Sequence, residues 1–207
     1  MSLLPVNESE HLSSIRASAS RNSRYPSGTI RCNGAAMFRT PDAHAYGCLL
    51  DLETDVSSWS CLPIIVVNDG ELHVPDFVVT RDDGDFLVDV VVAENPQLPS
   101  WLAGAAARRG YSHFNVVKPD LIAKSVRIAN AKDLLRYARW TTPLGDRLRL
   151  LTTLDEHGSM TVAECLTAFR EIPAMAGLAS MVLHRFLEVD LDDELLGPDT
   201  LVRRHRA

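Results

Sequence analysis

No apolar run in the sequence reaches the roughly 18 residues that a membrane-crossing helix needs, so no span is expected and the protein is read as cytoplasmic. The opening stretch MSLLPVNESEHLSS has neither a basic lead nor a continuous apolar core, which argues against a secretory signal. Paired cysteines are missing as well. Cys32, Cys48, Cys61 and Cys165 stand far apart with no C-x-x-C, and the seven histidines are scattered. These absences exclude a zinc module and predict buried, reduced thiols. Positive charge is almost absent between residues 42 and 100, where twelve acids face the single Arg81.

The sequence does have apolar material. With 46% hydrophobic residues, the 207-residue chain can build one large domain or two small ones. The net charge of −6 is banded along the chain. Residues 1–41 hold five Arg against two Glu, and residues 101–149 hold ten Lys or Arg against three Asp. Residues 150–202 reverse the sign, ten acids against two Arg, before a tail with Arg203, Arg204 and Arg206. Such bands can fold into a basic face, the usual footprint for phosphate, or interleave in space and cancel.

Residues 1–36, rich in Ser, Arg, Asn and Gly, read as a flexible basic arm or as an ordered extension over a sheet. Thr40-Pro41-Asp42 marks a helix start, with Thr as N-cap and Pro in the first turn. Apolar positions at Ala45, Cys48, Leu49 and Leu52 carry that helix toward Asp51, Glu53 and Asp55, which read as solvated acids. Residues 56–60 read as a turn into a strand over 61–67, and Asn68-Asp69-Gly70 as a further turn.

Residues 71–94 organise the chain as a β-hairpin. One strand covers 73–79, the turn is Asp82-Asp83-Gly84-Asp85, and a very apolar strand covers 86–92. Asp76 opens the first strand and Asp89 lies midway along the second. Two carboxylates on paired strands can hold a divalent metal through hard oxygen ligands. Buried, Asp89 would carry a costly charge and should therefore have a partner. A helix over 101–109 ends in Arg108 and Arg109, where the helix dipole and phosphate compete for their charge. A strand over 111–117 and one or two helices over 121–137 follow, with Lys118, Lys124 and Arg127 among their basic residues.

The last third reads as helices from 143 to 154, from 160, and from 174 to 186, then strands at 187–191 and 201–202. Three helices and a hairpin are winged-helix order. The third helix has only His184 and Arg185 at its end, which favours protein contact over DNA reading.

The helix, the strand, Val74-Pro75-Asp76-Phe77 and then Leu87-Val88-Asp89-Val90-Val91 resemble the PD-(D/E)XK nuclease core. More narrowly they resemble the TnsA-type transposon endonuclease family, over residues 28–140. The resemblance implies an α/β fold, a restriction-endonuclease-like mixed sheet flanked by helices in residues 37–140, with a winged-helix-like domain in 141–207. It departs at two places. The family's catalytic lysine falls on Val91, and its helix acid falls near Ala43, although Asp42 and Asp51 are close.

Two functions follow as expectations. The first is a DNA-binding or scaffold protein on a degenerate nuclease fold, without cofactor, tied to mobile-element DNA and to a transposase, recombinase or other protein partner. Arg24, Arg31, Arg108, Arg109, Lys118, Lys124 and Arg127 are its candidate DNA contacts. The second is an active endonuclease using Mg²⁺ or Mn²⁺ on Asp76 and Asp89, with a relocated lysine such as Lys118 or Lys124. A lysine or arginine close to Asp76 and Asp89 would favour the enzyme. A hydrophobic wall around Val91 and aspartates satisfied by backbone donors would favour the scaffold.

Overall fold

The computed structural model describes residues 8–22, 24–91, 98–111, 113–117 and 125–206. They form a mixed α/β protein that divides into two compact units. One contains the chain up to Arg24 and from Arg31 on, and the other contains Tyr25–Ile30 with the chain from Ser125. Lys118 and Lys124 lie outside the described residues, as do 92–97 at the end of the expected second hairpin strand.

In the first unit, helix α1 (Glu8–Ser20) occupies much of the stretch expected as a flexible arm. It is anchored by Arg16, whose guanidinium donates to the carbonyls of Leu62 at 2.9 and 3.1 Å and of Pro63 at 3.1 Å, and by buried Ala19. Helix α2 (Pro41–Leu50) starts as its sequence predicts, the Thr40 hydroxyl accepting the Ala43 N–H at 3.0 Å.

A four-stranded sheet follows, built from β1 (Val56–Cys61), β4 (Phe77–Arg81), β5 (Gly84–Val90) and β6 (His113–Val117) in that spatial order. The first two pairings are antiparallel and β5–β6 is parallel. A separate hairpin pairs β2 (Val66–Asn68) with β3 (Glu71–His73). Its turn residues Asp69 and Gly70 both have positive φ, 49° and 84°, as a tight two-residue loop requires.

Two expectations are corrected here. Residues 56–60 are not a turn but most of β1, where Val56, Trp59 and Cys61 are buried. The apolar run 61–67 is not one strand, because Leu62 bends the chain at φ 46° and Pro63 has no N–H to give a ladder. The strand expected over 73–79 is likewise split, its start belonging to β3 and its end to β4.

Every residue of β5 from Phe86 to Val90 is buried, as expected of a strand covered on both faces. Phe38 and Trp59 meet Phe77 with ring centroids 6.2 and 5.7 Å away. Leu87 and Val66 pack with Leu102, Ala105 and Ala106 of helix α3 (Leu102–Arg108).

The second unit contains α4 (Val126–Leu135), α5 (Leu144–His157), β7 (Ser159–Thr161), α6 (Val162–Leu166), α7 (Ala174–Leu183), β8 (Leu187–Val189) and β9 (Leu201–Arg204). Its three strands form an antiparallel sheet in the order β7-β9-β8. Helix α4 belongs to this unit, so the division falls earlier than residue 140. Asn130 explains it: the buried side-chain amide donates to the carbonyls of Leu191 and Glu194 at 3.0 and 2.9 Å, and its oxygen accepts Leu196 N–H at 2.8 Å.

Candidate functional site

Asp76 and Asp89 are brought together, as the hairpin reading expects. The β4–β5 register pairs Phe77 with Val88, so one step further along the ladder Asp76 faces Asp89. Period-two alternation then sends both side chains to the same side. Both are buried, with 5% and 3% of their surface exposed. Two such carboxylates would repel strongly without compensation.

Compensation comes from Arg39, just ahead of the α2 N-cap. Its Nε donates to Asp76 Oδ1 at 2.8 Å and its Nη2 to Asp89 Oδ1 at 3.3 Å. The other oxygens are also engaged. Asp76 Oδ2 accepts the Val90 N–H at 2.9 Å, Asp89 Oδ2 lies 2.5 Å from His73 Nε2, and Asp89 Oδ1 additionally accepts the Asp76 N–H at 3.2 Å. All four carboxylate oxygens therefore have a partner.

Burial pushes the Asp76 carboxyl above its ordinary pKa, outweighing Arg39 and the Val90 N–H, which pull it down. For Arg39 burial works against the charge, but the contacts with Asp76 and Asp89 outweigh it and raise its pKa. Arg39 is thus a permanent cation at this site and cannot serve as a base.

A divalent metal does not fit this arrangement. Its ligands would be the two Oδ1 atoms that Arg39 already holds, and among the described residues no group of three His, Cys, Asp or Glu is placed to hold a metal. Val91, where the resemblance would place a lysine, is buried, and its N–H donates to the Val117 carbonyl at 2.9 Å. Ala43 is buried too, Asp42 is half-buried in the first turn of α2, and Asp51 is spent elsewhere. Asp51 is not a solvated acid: fully buried, it accepts Trp59 Nε1 at 2.9 Å and Arg31 N–H at 2.8 Å. Asp55 is exposed and pairs with Arg81.

Several candidate DNA contacts are already engaged. The Arg31 guanidinium is bound to the Asp51 carbonyl, and Arg109 donates to the Ile65 carbonyl at 2.6 Å. Arg127 pairs with Asp192 at 2.9 Å. Arg108, exposed at the end of α3, reaches the Asn68 side chain at 3.0 Å, and Arg24 is half-buried.

Arg39 and His73 are the site residues that the sequence reading passed over. The signal for Arg39 was the acidic band itself. Arg81 is the only Lys or Arg between 42 and 100, and it lies at the turn end of the hairpin, so a permanently charged partner for Asp89 had to come from outside that band. No family model matches the sequence, and no curated protein matches it.

Proposed function

We propose that the chain is a DNA-binding or scaffold protein on a degenerate, TnsA-like nuclease fold, in which an internal arginine takes the place of the catalytic cation. The observation that carries this reading is Arg39 in ionic contact with both Asp76 and Asp89. A close cation was one mark of an enzyme, but this one occupies the metal's own donor atoms and holds its proton. Buried Val91 and the backbone N–H groups on Asp76 and Asp89 point the same way, toward a framework.

Helix α2 ahead of a mixed sheet with a parallel β5–β6 pair supports a restriction-endonuclease-like core. The order α5-β7-α6-α7-β8-β9 supports a winged-helix-like second unit. In that unit α7 is buried at every residue from Ala176 to Leu183, so it has no free face for a DNA groove. The protein-contact role proposed for this unit, with a transposase or recombinase as the class of partner, rests instead on the low positive charge of that helix, which has only His184 and Arg185 at its end.

The test pairs gel-shift binding with a nicking assay in Mg²⁺ or Mn²⁺, on wild type and Asp76→Ala. Salt-sensitive binding without cleavage is expected. Cleavage that disappears in Asp76→Ala would overturn the proposal in favour of an active endonuclease. Absence of both binding and cleavage would remove DNA and leave the protein partner.

A further inference from the structure

Helix α5 buries one face and leaves the opposite one open. Asp146, Leu150 and Leu154 are buried at four-residue spacing, which turns Leu144, Leu148 and Thr152 outward. Leu144 and Leu148 are 59% and 55% exposed, and Trp140, just ahead of the helix, is 42% exposed. Leu148 and Thr152 form one wall of an open groove of about 650 Å³, with Thr167 and Ala168 on the other. We infer that this groove is a homodimer interface, in which α5 of a second copy lies antiparallel across α5 of the first.

Charge identifies the occupant. Arg170 and Glu156 both line the groove, and both are exposed. Arg170 is fixed at the start of the helix, because its backbone N–H donates to Asp146 Oδ1 at 3.0 Å. Glu156 stands in the last turn of α5, about 15 Å further along at the rise of an α-helix, too far to pair with Arg170 in its own copy. The neighbouring charges are already engaged, Arg149 with Asp146 and with Glu171 at 3.4 Å, and Asp155 with Arg204.

A groove with an unspent cation at one end and an unspent anion at the other complements itself under a two-fold rotation, where residue i meets j and j meets i. Antiparallel helices crossing at Leu150 set Leu148 beside the partner's Thr152. The same crossing brings Glu156 to the first turn of the partner's α5, next to the partner's Arg170. That pair forms twice, once at each end. One helix per copy makes a small interface, below about 1,200 Å², so the dimer depends on concentration and weakens as salt screens its exposed ion pairs.

Sedimentation velocity on the full chain, from low to high micromolar concentration at low salt, tests the pairing. Wild type is expected to shift from monomer to dimer over that range, and Leu148→Asp to stay monomeric. Arg170→Glu and Glu156→Arg each turn both ion pairs into like-charge contacts and should weaken self-association about ten-fold or more. Neither touches the Arg170 N–H that holds the loop to Asp146. Mixed in equal amounts, the two variants meet opposite charges at both ends and should recover wild-type association. A wild type that stays monomeric throughout would overturn the dimer and leave the groove to a helix of another protein. A dimer that survives Leu148→Asp, or charge variants that gain nothing on mixing, would overturn this interface. Assemblies beyond two copies would overturn the two-fold arrangement.

Discussion

Asp89 is a buried carboxylate, and one without partners costs several kcal/mol by rough estimate. Arg39 and His73 offset that cost by contacting opposite oxygens of the same group. Replacing Arg39 by Ala would leave two like charges facing each other across β4 and β5. A fully buried pair broken this way loses about 3–5 kcal/mol. Because the Arg39 side chain is 33% exposed, about 2–3 kcal/mol is expected, read as a lower urea midpoint. In Arg39→Ala, Mn²⁺ should raise the melting temperature, and in wild type it should not, because the guanidinium holds the same oxygens. Asp76 also sets a pH dependence. Its pKa is raised on folding, so the folded chain keeps a proton that the unfolded chain has lost. That contribution to stability is complete below the ordinary aspartate pKa and is lost as pH rises through the raised value. Denaturation at a series of pH values should show this fall in wild type and not in Asp76→Asn. The carboxylate pair itself was legible from the hairpin, and so was the need for a partner. The partner was not, because Arg39 lies 37 residues from Asp76 in the chain and nothing in local pattern links them.

Strands and helices were legible where short-range chemistry decides them. The Thr40 cap, the Asp82-Asp83 turn and the β5 apolar run all rest on neighbours in sequence. Strand β1 was missed because Ser57, Ser58 and Ser60 dilute its pattern, while the more apolar run after it is broken at Leu62. That bend has a use: it lets the Leu62 N–H donate to the Asp76 carbonyl at 2.8 Å and turns two carbonyls toward Arg16. In the second unit the contact between α7 and the residues after α6 is equally specific. A Cβ on Gly177 would lie 2.3 Å from the ring of Phe169, a buried side chain. Gly177→Ala is therefore expected to destabilise by about 1–3 kcal/mol through overpacking, despite the better helix propensity of Ala. Thermal melts of that variant against Gly104→Ala, where the new methyl meets only the end of Arg108 at 3.6 Å, would separate crowding from propensity.

The chain visits its second unit early. Residues 25–30 cluster with the chain from Ser125, the Tyr25 hydroxyl accepting Arg136 Nε at 2.8 Å and its ring lying 5.4 Å from the same guanidinium. A pairing across 111 residues leaves no trace in composition, which is why these residues read as part of an arm. The same folding redistributes the charge bands. Of the seven candidate DNA contacts, Arg31, Arg109 and Arg127 are committed to partners within their own units. Among the described residues this leaves Arg24 and Arg108, the latter held only by the neutral Asn68 side chain, and with Lys118 and Lys124, which lie outside the described residues, the proposed phosphate contacts number four. Each neutralised phosphate lowers the slope of log K against log salt by about 0.9 on duplex DNA. Four contacts give a slope of about −3.6, and all seven would give about −6.3. Binding titrations from low to physiological salt are expected to follow the shallower line. Arg108→Ala should flatten it by about 0.9, and Arg109→Ala should leave the slope alone while weakening the fold around Ile65. A slope near the steeper value would mean that DNA draws Arg31, Arg109 and Arg127 away from their present partners, and the electrostatic footprint would then be assembled only on binding.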